Sequence, residues 1–200
     1  NRATQAQYAP GSTFKIIQAL IGLQEGIISP NTQYTCQGKV SSPIKCTHNH
    51  GSPLDLYEGI EQSCNPYFWA LFRDLLQRDG YTNNHTLFKK HYENWRNMVA
   101  SFGLGEAFEH TDVRDQAKGC IPTEAFYNKT YGKKGWKAIT IRSLSIGQGE
   151  LLVTPLQLAN QAAIIANKGY YITPHFNRHD SMKLDVHNTL IDKKHFNVIH

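Results

Sequence analysis

The chain has 200 residues, 40% of them hydrophobic and 18% charged, with a formal charge of +5 and a pI near 9.0. That suits one globular unit with a sizeable core, and no run of about 18 or more apolar residues reads as a membrane span. The 21 Lys and Arg are dispersed, so pairs such as Lys89-Lys90, Lys133-Lys134 and Lys193-Lys194 read as solvated faces, and no nucleic-acid partner is expected.

In chain order, a helix is expected to begin at Ser12 and run to Gly26, a residue favoured just past a helix end, with a turn over 27–30. Residues 31–53, rich in Asn, Gln, Gly, Ser, Cys and His, read as loop with at most a short strand or two. Asp55 and Glu58 make a capping-box start for a short helix to Gln62. Ser63-Cys64-Asn65-Pro66 interrupts it, and Asn65 is expected to cap a second helix over 66–78. A helix over 87–101 ends at Gly103-Leu104-Gly105, and 106–135 is irregular apart from a short helix near Thr123. Thr154-Pro155 opens the clearest helix, closing near Asn167-Lys168-Gly169. Residues 170–176 read as a strand, and the polar segment from 178 onward is ambiguous. No leader, repeat, low-complexity block or linker is visible, and the first residue reads as the middle of a domain.

The stretch Ala9-Pro10-Gly11-Ser12-Thr13-Phe14-Lys15 carries chemistry. Phe14, Ile16, Ile17, Ala19, Leu20, Ile21 and Leu23 leave little polar surface on the helix, which therefore belongs in a core. A lysine there favours its neutral form and can act as a base. Ser12 and Lys15 share a helix face at i and i+3, at an N-terminus that favours developing negative charge. The alternative is an N-capping serine beside a lysine that extends to solvent. Ser63-x-Asn65 is likewise readable as an ordinary helix break.

Taken with Ser145-Ile146-Gly147-Gln148-Gly149 and Thr154-Pro155-Leu156-Gln157-Leu158-Ala159, these motifs resemble the transpeptidase domain of class B penicillin-binding proteins, most similar to the elongation-type, PBP2-like group. The resemblance covers almost the whole chain and implies an α+β, β-lactamase/transpeptidase-like fold, mainly α-helical here because most of the central sheet lies outside the segment. It implies a peptidoglycan DD-transpeptidase acting on D-Ala-D-Ala stem peptides through a serine ester, and a β-lactam target. Ser12 would be the nucleophile and Lys15 the general base. Ser63 would relay a proton to the leaving group, and Asn65 would hold the substrate amide and Lys15. The Ser12 backbone N-H would be one oxyanion donor. A glycosyltransferase partner, a periplasmic location and an N-terminal membrane anchor outside this segment are further implications.

The family's third motif, K-[ST]-G, is not found in this sequence. Lys129-Thr130-Tyr131-Gly132 has an extra residue and precedes the Ile146-Gly147-Gln148-Gly149 segment, so it reads as a decoy. Residues 1–200 are therefore expected to be a partial transpeptidase domain, truncated before the K-[ST]-G strand and inactive alone. A hydrolytic relative, a β-lactamase or DD-carboxypeptidase, is the alternative. A non-catalytic β-lactam sensor or zinc-stabilised scaffold is another.

Four cysteines add a second constellation. Cys36, Cys46, His48, His50 and Cys64 offer a Cys3His set of the kind tetrahedral zinc favours, with Cys64 inside S-x-N itself. The competing reading is a Cys36-Cys46 disulfide. That pairing leaves Cys64 alone and gives two nearby histidines no role, which favours structural zinc on Cys36, Cys46, His50 and Cys64. His48 is then second to His50, and Cys120 is a free thiol. His175, His179 and His195 have no evident partners.

Overall fold

The computed structural model describes residues 1–79, 84–177 and 185–199. In those residues the helices are α1 (Arg2–Gln5), α2 (Lys15–Gln24), α3 (Leu56–Glu61), α4 (Asn65–Leu76), α5 (His85–Ala100), α6 (Glu124–Tyr131), α7 (Pro155–Ala166) and α8 (Lys193–Ile199). The strands β1 (Tyr170–Ile172) and β2 (Val186–Asn188) pair antiparallel, with Tyr171 opposite His187. The architecture is α+β and mainly helical, as expected.

α2 is apolar on several faces because it separates two cores. Phe14, Ile17, Leu20 and Ile21 enter an aromatic cluster with Phe72, Tyr92, Trp95 and Trp136, while Ala19 and Leu23 face Leu56, Tyr67, Phe68 and Leu71. Phe14 and Phe72 both meet the Trp95 ring edge-on, at 6.1 and 5.3 Å, the geometry favoured by the ring quadrupoles. Trp95 donates to the buried Gln18 Oε1 at 2.7 Å, which ties α5 to α2. Gly22 lets α4 approach: a Cβ there would lie 2.7 Å from Leu71 Cδ1.

Several expectations hold at the caps. Asp55 and Glu58 form both halves of the capping box on α3, and Thr123 caps α6; α5 begins at His85 rather than at 87, with Asn84 as a cap that the sequence reading did not name. α7 starts at Thr154-Pro155 with a capping box completed by Gln157. Other details differ. The strand over 170–176 shortens to Tyr170–Ile172, and β2 and α8 lie in the segment that read as ambiguous. Residues 31–53 hold a 3-10 turn at Gly38–Val40, and the Tyr34 to Leu54 pairing is an isolated bridge. Lys89 is not on a solvated face: it is half-buried and pairs with Glu124 at 2.9 Å. Lys129-Thr130-Tyr131-Gly132 closes α6 rather than forming an edge strand. His175 Nδ1 meets Thr173 O at 3.0 Å, and His179 lies outside the described residues.

Candidate active site and metal centre

Ser12 does not cap α2. It lies in a 3-10 turn, Gly11–Phe14, that precedes the α-helix and has no side-chain cap bond. The turn leaves Ser12 exposed while Lys15, at the first position of α2, is 2% exposed. The solvent-reaching lysine is thereby set aside. The neighbouring N-H groups are engaged, that of Gly11 with Gly147 O and that of Lys15 with Ser12 O.

The ammonium of Lys15 spends its three N-H donors inside the protein. Nζ donates to Ser63 O at 2.7 Å, Ser63 Oγ at 3.1 Å and Asn65 Oδ1 at 2.6 Å, and it stands 5.6 Å from the centre of the Phe68 ring. Burial lowers its pKa to about 8, opposed by the nearby thiols of Cys64 and Cys46. The group is thus cationic in the resting arrangement and close to releasing a proton near neutral pH.

The junction between α3 and α4 is shaped for this contact. Ser63 has φ +47, a left-handed conformation unusual for a residue with a side chain. That conformation lets its carbonyl and hydroxyl both reach Lys15. Asn65 is not the cap that its position before Pro66 suggests: Cys64 occupies the N-cap position without a capping bond, and Asn65 is the first residue of α4. Its amide is employed elsewhere. Nδ2 donates to Lys45 O at 3.1 Å, which fixes the amide orientation and turns Oδ1 toward Lys15.

The Gly11–Phe14 turn is held from the other side. Gly11 N donates to Gly147 O at 2.8 Å, and the Tyr8 and Val153 backbones exchange bonds of 2.9 Å each. Gly147 has φ +68, and a Cβ there would sit 2.2 Å from Gly11 O. Only glycine permits that approach.

Cys36, Cys46, His50 and Cys64 come together, with every pair of ligand atoms within 4.8 Å. Zinc with Zn–S bonds of about 2.3 Å sets sulfurs about 3.8 Å apart in a tetrahedron, so small adjustments would seat the ion. His50 is suitably oriented: Nδ1 meets Gly51 O at 2.7 Å, leaving Nε2 3.2 Å from Cys46 Sγ. A ligating histidine commonly has its other nitrogen held by such a carbonyl. Burial raises the Cys64 thiol to about 12, with the neighbouring sulfurs adding to the effect. At Cys46 burial also acts upward, but hydrogen bonds from the His48 backbone and from His50 and Cys36 outweigh it, bringing the thiol down to about 7. Several thiolates cannot share so small a space without a cation to offset them. All four cysteines are unpaired. His48 is exposed and lies outside the cluster, with Nδ1 near Thr47 Oγ1, and Cys120 is also apart.

Hydrogen bonds thus bring Lys15, Ser63 and Asn65 together, with Ser12 three residues before Lys15 on the adjoining turn, and Cys36, Cys46, His50 and Cys64 gather beside them. Sequence reasoning missed Lys45, which acts through its backbone carbonyl and so has no side-chain signal, and Gly147 as the partner of Gly11.

A mainly helical unit with its S-x-x-K turn against an S-x-N junction has the build of the penicillin-recognising transpeptidase and β-lactamase fold. The description "Penicillin binding protein transpeptidase domain" matches residues 1–198, and the chain belongs to that family. It is 31% identical over 207 residues to the peptidoglycan D,D-transpeptidase MrdA of Acinetobacter baumannii, covering 98% of this chain and 28% of that protein. The fold is similar to Pseudomonas aeruginosa PBP2 solved with WCK 5153, with a TM-score of 0.74, 26% identity, and 100% of this chain and 44% of that chain covered. It is also similar to a chain of a peptidoglycan synthase complex described as coordinating polymerization and crosslinking, with a TM-score of 0.73, 26% identity, and 99% and 32% covered. The chain spans under a third of the length of the curated relative it matches.

Proposed function

We propose that this segment supplies the nucleophile, base and proton relay of a peptidoglycan DD-transpeptidase. The observation that carries the reading is the buried Lys15, tied to Ser63 and Asn65 and placed on the same turn of chain as an exposed Ser12. Once neutral, Lys15 accepts the Ser12 proton as Oγ attacks the carbonyl carbon of the penultimate D-Ala. The Ser12 N-H faces the developing oxyanion. Collapse of the tetrahedral intermediate breaks the peptide bond, and Ser63 passes a proton from Lys15 to the departing D-Ala amine. Asn65 keeps Lys15 placed and offers its amide to the substrate. The amine of a neighbouring stem peptide then attacks the ester, gives up its proton and restores Ser12. A β-lactam would form the same ester.

Cys36, Cys46, His50 and Cys64 would hold a structural zinc, which when bound supplies no chemistry to the substrate and joins the 31–53 loop to the S-x-N junction. The carboxylate anchor and a second oxyanion donor are left to a K-[ST]-G strand, which this sequence lacks. Residues 1–200 would therefore form no stable ester by themselves. In the intact protein the reading carries a periplasmic location, a membrane anchor and a glycosyltransferase partner. The similarity to a chain of a synthase complex that joins polymerization to crosslinking supports that partner. No described helix is itself long and apolar enough to cross a membrane.

The test is labelling of the intact domain by a fluorescent penicillin. Ser12→Ala is expected to abolish the label, and Lys15→Ala to slow it by about 1,000-fold or more, since nucleophile and base act as one unit. Wild-type labelling of the Ser12→Ala protein would defeat the assignment.

A further inference from the structure

The buried face of α7 is polar where an apolar stripe would be usual. Its buried residues are Gln157, Asn160, Gln161 and Ile164, so three of the four are amides. Each amide reaches a backbone carbonyl on another segment. Gln157 Nε2 donates to Glu106 O at 3.0 Å and Lys118 O at 2.9 Å, and Asn160 Nδ2 to Phe102 O at 3.4 Å. Gln161 Nε2 donates to Thr13 O at 2.8 Å, across 148 residues of sequence. Thr13 directly follows Ser12.

Gln161 differs from Gln157 in how its other half fares. Gln157 Oε1 accepts from Thr154 N at 2.9 Å. Gln161 Oε1 is buried with no hydrogen-bond partner among the described residues, in a residue only 4% exposed. Rotating the amide would not relieve this, because the Thr13 carbonyl can only accept and needs the NH2 group facing it. A buried oxygen left unpaired costs stability. An apolar residue of similar volume would avoid that cost but release Thr13 O, so what the glutamine adds in this place is its hold on the peptide after Ser12.

We infer that Gln161 is a positioning residue for the acyl-transfer step: its amide holds the peptide after Ser12 in the register that presents Oγ and the Ser12 N-H to the substrate carbonyl. It completes a splint around the nucleophile. Gly147 O holds Gly11 on one side of Ser12, and Gln161 holds Thr13 on the other. Thr13 Oγ1 meanwhile donates to Pro10 O at 2.9 Å, closing the turn on itself. Proximity effects are sensitive to small displacements of the reacting atom, so the loss of one such tether should appear in the bond-forming step rather than in substrate binding. The inference rests on the acyl-transfer reading above.

The experiment measures penicillin acylation of the intact domain as two constants, the pre-acylation affinity and the limiting acylation rate, alongside the melting temperature. Gln161→Met keeps the length of the side chain, removes the donor and removes the unpaired oxygen. It is expected to lower the limiting rate by about five- to tenfold, the worth of one hydrogen bond, while affinity is unchanged and the melting temperature is little changed, the lost bond to Thr13 O being offset by removal of the unpaired oxygen. Gln161→His retains an N-H at similar reach and is expected to restore the rate to within about twofold of wild type. A Gln161→Met protein that acylates at the wild-type rate would overturn the inference. So would losses in Gln161→Met and Gln161→His that are equal and track a lowered melting temperature, since that pattern belongs to packing. A wild-type domain that takes no label at Ser12 would overturn the acyl-transfer reading and this inference with it, which separates the two failures.

Discussion

The two sides of Lys15 are held by different means. On the nucleophile side, the Gly11–Phe14 turn is fixed by the Gly11 bond to Gly147, by the Gln161 amide on Thr13 and by Phe14 packed on Trp95, and the chain just before it is pinned by the Tyr8 and Val153 backbones. On the junction side, Ser63 sits in a left-handed conformation, and Asn65 is oriented by a carbonyl from the polar 31–53 loop. Cys64 lies between those two residues, and Cys46 directly follows Lys45, so the sulfur cluster adjoins every group that receives Lys15 or orients its receiver. The nucleophile side is thus secured by core packing and buried hydrogen bonds, whereas the junction side depends on a cluster of thiols that repel one another once ionised. The difference predicts that the two sides fail under different treatments.

Removing metal is expected to have the largest effect and to act on the junction side. Structural zinc contributes on the order of 10 kcal/mol in small zinc peptides, and residues 31–53 hold few apolar side chains to replace it. Chelation should lower the melting temperature and slow acylation, with reductant having no effect. Elemental analysis with a thiol count checks the premise: no zinc and only two titratable cysteines would mean a disulfide instead. His50→Ala should lose the metal, and His48→Ala should keep it.

Next in size is Gly147→Ala, which strikes the nucleophile side. The new methyl would meet Gly11 O at 2.2 Å from a positive φ. Strain of this kind costs about 1–3 kcal/mol, or roughly 3–10 °C in melting temperature for a protein of this size. Acylation should fall while bound zinc is retained, the reverse of what His50→Ala does to metal content. A Gly147→Ala protein that loses its metal as well would show that the two sides are one mechanical unit.

The pH profile addresses the lysine between them. Burial holds Lys15 down to about 8, so below that value most molecules carry the proton and lack the base. Acylation should rise about tenfold per pH unit up to about pH 8 and then level off. Lys15→Arg, which stays charged, should show no rising limb. A flat wild-type profile from about pH 6 to about pH 9 would remove Lys15 from the role of base.

How much of this was legible in the sequence depended on whether a residue acts through its side chain. Ser12, Lys15, Cys36, Cys46, His50 and Cys64 carry distinctive groups, and Asp55 and Thr154 announce helix starts because a short oxygen-bearing side chain satisfies free N-H groups. Lys45 and Gly147 contribute carbonyls, which every residue possesses. Asn65 misled locally, since the oxygen that could cap α4 accepts from a lysine 50 residues earlier. The inward face of α7 also defied pattern reading, because hydrophobic periodicity cannot find a buried stripe made of amides. β2 and α8 were missed because their polar, mostly exposed residues carry little period to detect.

The smallest expected effects compare the caps that begin the helices on each side. Asp55 caps α3, which leads into Ser63, and both of its capping-box bonds are exposed at 2.9 and 3.0 Å. Thr154 caps α7, which carries Gln161, and there the bonds to and from Gln157 are buried at 3.2 and 2.9 Å. Water can replace the lost partner at an exposed cap but not at a buried one. With metal bound, Asp55→Ala should therefore cost about 0.5 kcal/mol and Thr154→Ala about 2 kcal/mol, the two ends of the usual capping range. Chelation should change the first figure more than the second. Without the metal at Cys64, α3 has less to hold its C-terminal end in place, and the cap becomes a larger share of what keeps Ser63 beside Lys15. Denaturant titration of both variants, with and without chelator, gives the four values. An Asp55→Ala penalty that is the same in both conditions would mean that the junction is self-supporting, and the contrast between the two sides of Lys15 would fail.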